Sequence, residues 1–175
     1  MLVVIPCRCY GSGNIRRMIG PGAPAPTFEL PDQDGEPVSL AALRGRTVVL
    51  YFYPKADTPG CTTQACSIRD RSDEYAAAGV KVIGISPDPV AKVKRFHDKR
   101  SLNFTLLADA DHAVCEEYGV WVEKSMYGRK YWGAQRATFI IGPDGVVAHV
   151  IEKASPKTHD EQVLKALAGL SGAAA

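Results

Sequence analysis

Between Thr47 and Cys66 the chain reads TVVLYFYPKADTPGCTTQAC, and this stretch constrains the rest of the fold. Thr47 to Tyr53 is an almost unbroken run of β-branched and aromatic residues, the pattern of a strand buried on both faces of a parallel sheet. Pro54 ends the run. Thr58 suits an N-cap and Pro59 a first helical residue, which places Cys61 in the first turn of a helix expected to run to about Ala78, where Gly79 stops it. Unpaired backbone N–H groups and the positive end of the helix dipole favour negative charge there, so the position is that of a reactive thiolate.

Cys61, Ala65, Ile68, Ser72 and Tyr75 follow 4-3-4-3 spacing, a stripe that turns Cys61 inward and leaves Cys66 off it. Positions i and i+5 of a regular helix are rotated about 140° apart with about 7.5 Å of rise, so the two Cα atoms lie roughly 8 to 9 Å apart. A disulfide needs less than about 7 Å. A Cys61–Cys66 bond therefore requires this end of the helix to unwind. The bland alternative makes both cysteines small core residues. Thr, Pro and Gly immediately before Cys61 speak for the reactive one.

The remaining chain alternates strands and helices. Gly20 to Leu43 is rich in Pro and Gly, with a turn at PDQDG and a short strand at Pro37 to Leu40, an N-terminal hairpin covering the core. Val80 to Ser86 is a second buried strand. A helix from Asp88 or Pro89 through Lys99 turns Val93 and Phe96 inward and its basic residues to water. Phe104 to Leu107 is a third strand, and Asp111 to Tyr118 a short helix in which Cys115 is read as core packing. Ala137 to Ile141, the turn Gly142-Pro-Asp-Gly145 and Val146 to Ile151 form a hairpin, followed by a helix over about Thr158 to Leu167. This order implies an α/β fold with a mixed β-sheet sandwiched by helices, of thioredoxin-like type. None of the four histidines stands at ligand spacing with another or near Cys61, and none receives a role.

The motif Pro54-x-x-x-Thr58-x-x-Cys61 matches the signature of the peroxiredoxins, and Cys66 five residues on resembles the peroxiredoxin Q subfamily, also called bacterioferritin comigratory proteins. LPDQDGE, VLYFYPKA, NFTLLAD and DHAVCEEYGVW are similar to the same subfamily, so the resemblance runs from about Gly20 to Leu170. It implies a thioredoxin-like fold and a thiol-dependent peroxidase that reduces hydrogen peroxide and organic hydroperoxides, in antioxidant defence. Cys61 is then the peroxidatic cysteine and Cys66 the resolving one, joined in a transient disulfide that thioredoxin or a similar dithiol protein reduces. The Thr58 hydroxyl, backbone N–H groups near Gly60 and Cys61, and an arginine from a distant strand bind the peroxide, and Pro54 shields the sulfur. That arginine is taken as Arg136, in QRATFII, on the resemblance alone. No cofactor or metal is implied.

Residues 1–19 are expected to be a disordered extension, 20–170 the single domain and 171–175 a flexible tail. A length of 175 residues with 46% hydrophobic and 23% charged suits one ordinary globular domain. Met1 to Arg17 carries three arginines and no acid. Removing those from the 21 basic residues leaves 18 against 19 acidic, a balance of −1 that gives no basic surface for nucleic acid. The apolar LVVI is too short for a signal peptide, so the readings of this segment are a disordered extension, a truncated targeting segment or a start codon placed too early, with Met18 the true beginning. Cys7 and Cys9 lack the second pair that a structural zinc site wants. No apolar run spans a membrane. The expected setting is a cytoplasmic monomer, since Cys66 can serve Cys61 within one chain. Two other classes stay open. One is a thiol-disulfide oxidoreductase on the same fold, which typically uses Cys-x-x-Cys where this chain has Gln64; the other is a non-enzymatic redox sensor or binding module.

Overall fold

The computed structural model describes residues 17–173. Its centre is a five-stranded mixed sheet in the order β5-β4-β3-β8-β9, comprising β3 (Thr47–Phe52), β4 (Val80–Ser86), β5 (Thr105–Ala108), β8 (Ala137–Ile141) and β9 (Val147–Ile151). β3, β4 and β5 are mutually parallel, and β8 and β9 each run antiparallel to their inner neighbour. Two small hairpins stand apart: β1 (Glu29–Pro31) with β2 (Pro37–Ser39), and β6 (Trp121–Met126) with β7 (Arg129–Ala134).

Strand alternation divides the core into two layers. Val48, Leu50 and Phe52 of β3 face one way, onto Leu30 and Leu40 of the N-terminal segment and Val114, Cys115 and Tyr118 around α4 (Ala113–Glu117). Phe52, Tyr118 and Phe139 pack ring against ring there, with centroids 5.1 to 5.7 Å apart. Val49, Tyr51 and Tyr53 face the other way, onto α1 (Pro59–Asp70), α2 (Ser72–Ala77), α3 (Val90–Lys99) and α5 (His159–Ala173). β3 is buried on both faces, as its composition predicts, and each large apolar side chain there contributes about 1.5–3 kcal/mol by leaving water.

Three local expectations are corrected. The helix read as continuous from Pro59 to about Ala78 is two helices, broken at Arg71 (φ −109°, ψ 23°). The guanidinium of Arg71 pairs with Glu74 at 2.6 Å and reaches Asp160 on α5 at 3.1 Å, so a contact 89 residues away holds the break. The hairpin β6–β7, absent from the sequence reading, occupies 121–134. The last helix continues past Leu167, through the first residues of the expected tail, to Ala173.

At the other end, Met18 and Ile19 pack against the core, and Gly119, at φ +71°, is where they cross: a Cβ there would lie 2.6 Å from the Arg17 carbonyl oxygen. Residues 1–16, with Cys7 and Cys9, and residues 174–175 lie outside the described residues. Among the described residues no helix is long and apolar enough to cross a membrane, and no group of three or more His, Cys, Asp and Glu side chains is placed to hold a metal ion.

Candidate active site

The central strand β3 delivers the chain to Tyr53 and Pro54 at its C-terminal end, and the loop Lys55–Thr58 turns it into α1. Thr58 is the N-cap residue, extended at φ −89° and ψ 156°, and its carbonyl accepts the first helical bond from Thr62 N–H at 2.8 Å. Its hydroxyl does not cap the helix; it donates to the Lys55 carbonyl at 3.0 Å and so tightens the loop. Cys61 follows in the first turn and is 2% exposed, packed with Val49, Tyr51, Ala65 and Ile68 in the helix-covered layer. Ser72 is half-buried and the rest of the predicted stripe, Ala65, Ile68 and Tyr75, is buried.

Arg136 reaches the same point from the other end of the sequence. It is the second of the two residues between β7 and β8, and the backbone on either side fixes it: Gln135 N–H donates to the Val120 carbonyl at 2.7 Å, and the Arg136 carbonyl accepts from Ala154 N–H at 3.4 Å. Its Nη2 donates to Cys61 Sγ at 3.3 Å, and its Nη1 donates to Gln64 Oε1. A permanent cation thus faces the sulfur from one side while the start of α1 faces it from another, and both favour negative charge at that place. Gly60 makes the approach possible, since a Cβ there would lie 3.3 Å from Arg136 Nη2 and 3.4 Å from Pro156 Cγ. Pro54, Thr58 and Gly60, in the loop and first turn just before Cys61, are half-buried. Cys66 is half-buried on the outer side of α1, and Cys61, Cys66 and Cys115 are all free thiols.

Sequence reasoning passed over several neighbours. Gln64, three residues after Cys61 and so on the same side of α1, is completely buried and aims the Arg136 fork, while its own Nε2 has no protein partner. The same residue leaves the Cys-x-x-Cys alternative without its second sulfur. Lys124 on β6 is half-buried and donates to the Ala134 carbonyl at 2.5 Å; burial, then repulsion from Arg136, holds its ammonium below the usual range, against attraction by Cys61. His159 opens α5 with its Nε2 2.6 Å from Thr138 Oγ1, and burial pushes its pKa down to about 4, with a smaller contribution from Arg136. The buried Tyr51 phenol stays neutral far above its ordinary range, chiefly through burial and then through Tyr53 and Cys61. Cys115 is wholly buried on the opposite layer beside Asp109, whose carboxylate accepts its N–H at 2.8 Å, and burial pushes its thiol well above the usual range. It is core, as expected.

Arg136 and the start of α1 thus place one buried thiol in an anion-favouring corner. Residues 21–150 match the model of the AhpC/TSA family. The chain is 54% identical over 140 residues to the peroxiredoxin Bcp of Escherichia coli (strain K12), covering 80% of this chain and 90% of that one. It is 47% identical over 149 residues to a putative peroxiredoxin bcp of Haemophilus influenzae, covering 85% and 96%. Among solved structures, it superposes on the peroxidoxin BcpB of Mycobacterium tuberculosis with a TM-score of 0.77 at 38% identity, covering 86% of this chain and 97% of that one. A bacterioferritin comigratory protein of Xanthomonas campestris, studied for alkyl peroxide reduction, gives 0.78 at 35%, covering 87% and 96%. The chain therefore belongs to the AhpC/TSA family, as a peroxiredoxin of the Bcp and peroxiredoxin Q kind with a thioredoxin-like fold.

Proposed function

We propose that this peroxiredoxin reduces hydrogen peroxide and organic hydroperoxides with Cys61 as nucleophile, Cys66 as resolving thiol and Arg136 as the principal electrostatic group. The observation that carries the reading is the 3.3 Å contact from Arg136 Nη2 to the buried Cys61 Sγ at a helix start. The Cys61 thiolate attacks one peroxide oxygen in line with the O–O bond. That bond breaks, its electron pair leaves on the distal oxygen, and the alkoxide or hydroxide takes a proton to become alcohol or water. Cys61 is left as a sulfenic acid. N–H donors aimed at the oxygens stabilise the charge that develops on them, and in this reading Arg136 supplies them beside the sulfur. Thr58, Gly60 and Pro54, which lead into the same helix start, complete the pocket in this reading.

The Cys66 thiol then attacks the Cys61 sulfur; an S–S bond forms and the sulfenic oxygen leaves as water. A dithiol protein of the thioredoxin type restores both thiols by exchange. Both reacting sulfurs belong to one helix of one chain, so a monomer suffices for the cycle. A reducing compartment such as the cytoplasm supplies that dithiol.

Peroxide consumption coupled to a thioredoxin system tests the reading. Native protein turns over and Cys61→Ser does not. A Cys61→Ser protein that still consumes peroxide sinks it. Size-exclusion chromatography with light scattering checks the monomer.

A further inference from the structure

Asp88 carries a buried carboxylate that touches the Lys55–Thr58 loop at Ala56. It lies two residues beyond β4, just before Pro89, the N-cap residue of α3, and is 7% exposed. Oδ2 accepts the Ala56 N–H at 2.7 Å and the Ser86 hydroxyl at 3.1 Å, and Oδ1 accepts from Lys92 Nζ at 2.6 Å. Ala56, itself 2% exposed, sits midway between Pro54 and Thr58. The next residue, Asp57, holds a left-handed backbone (φ 61°) that a side chain rarely adopts, and its carboxylate is gripped by Lys99 at 2.7 Å and Arg100 at 3.2 Å. The loop that leads into α1 is therefore tied to α3 at two successive residues, and only the Asp88 tie is buried.

We propose that Asp88 is a positioning residue for peroxide reduction: by accepting the Ala56 N–H it fixes the Lys55–Thr58 loop, and through it the start of α1 that aims Cys61 at Arg136. The lever is short. From Ala56 the backbone reaches Thr58, whose carbonyl accepts from Thr62 and whose hydroxyl returns to Lys55, so a displaced Ala56 displaces the first turn that carries the sulfur. A buried N–H deprived of its acceptor does not stay in place; the loop moves to find water or another carbonyl. Arg136 is fixed independently by the strands on either side of it and does not follow. The misalignment falls on the oxidation step alone, because disulfide exchange with the reductant takes place after α1 has opened.

This inference rests on Cys61 as the peroxidatic cysteine, and the experiment separates the two. The rate constant for oxidation of Cys61 by hydrogen peroxide and the rate of reduction of the oxidised protein by thioredoxin are measured separately, below each variant's melting temperature. Asp88→Ala removes the acceptor, and Asp88→Glu keeps the charge but moves it by one methylene. Both lower the oxidation rate constant about ten- to a hundredfold, the cost of misplacing reacting groups by a fraction of an ångström to one ångström. Both leave reduction at the native rate. Asp88→Asn, whose amide oxygen still accepts the Ala56 N–H, keeps most of the oxidation rate, and Lys92→Ala, which removes only the outer ion pair, keeps it all. A folded Asp88→Ala or Asp88→Glu protein oxidised at the native rate overturns the proposal, as does Asp88→Asn being as slow as Asp88→Ala. Equal slowing of both steps also overturns it, since that is general destabilisation. Activity in Cys61→Ser would instead overturn the assignment of Cys61, whatever the Asp88 variants do.

Discussion

Oxidation with one equivalent of peroxide is the perturbation that asks most of this structure. An intact α1 holds the Cα atoms of Cys61 and Cys66 roughly 8 to 9 Å apart, beyond the reach of a disulfide. The first turns must open, giving up roughly five helical hydrogen bonds at about 0.5–1.5 kcal/mol each net, or about 2.5 to 7.5 kcal/mol. Arg136 loses both of its partners in the same event, because Cys61 and Gln64 leave together. In the reduced protein the same opening is a minor fluctuation, and amides of the first turns are slowed in exchange by roughly 60- to 2 × 10⁵-fold. In the oxidised protein that protection is lost. Arg71 sets the limit: its ion pairs to Glu74 and Asp160 hold α2 against α5, so the loss ends at Arg71 and Ser72–Ala77 keeps its protection. Hydrogen exchange with mass spectrometry on both redox states reads this segment by segment. Equal protection of α1 in the two states, with the Cys61–Cys66 bond confirmed, would mean that the helix is already open when reduced. Loss extending through α2 would remove Arg71 as the boundary.

Arg136→Ala removes both donors of its fork and lowers the rate constant for Cys61 oxidation by about 10²–10³, with Arg136→Lys in between because one point charge replaces a planar pair; stopped-flow peroxide kinetics checks it, and a native rate in either variant dismisses the role of Arg136. Cys66→Ser completes one oxidation and stops at sulfenic acid, which advances to sulfinic acid with excess peroxide; a Cys61–Cys115 bond seen by mass spectrometry in native protein would instead name Cys115 as the resolving residue. His159 supplies a pH dependence of stability. Its native pKa of about 4 lies below the value of 6.5 for the free side chain, so the unfolded chain binds the proton first. Its contribution is intact above about pH 6.5 and is lost as pH falls toward 4, roughly 3 kcal/mol in all. Urea unfolding of native protein and His159→Gln between pH 7 and 4.5 isolates that slope, and identical slopes refute the burial argument.

The chain's own local signals determine its central unit. β3 is legible because a strand buried on both faces has to be apolar throughout, and the start of α1 because Thr58-Pro59 is a local backbone preference; both depend on residues within a few positions of each other. The β8–β9 hairpin is legible for the same reason, through its Gly-Pro-Asp-Gly turn. β6–β7 was not. Most of its residues are exposed or only half-buried, so no apolar alternation marks it, and its two-residue turn places Tyr127 (φ 51°) beside Gly128 (φ 76°), where Asn-Gly would have announced it. The break at Arg71 is equally silent, since the local sequence favours helix on both sides and the partner that holds the break, Asp160, is 89 residues away. The site shows the same division. Cys61's position is written in the residues just before it. The arginine that faces it is 75 residues on, and resemblance alone picked out Arg136, whereas Gln64 and Asp88 gave no sign of their part. Local sequence fixes backbone conformation through sterics and short-range hydrogen bonds. Which buried polar groups meet is decided only when the sheet brings distant segments together, because each needs a partner that no neighbour in sequence can supply.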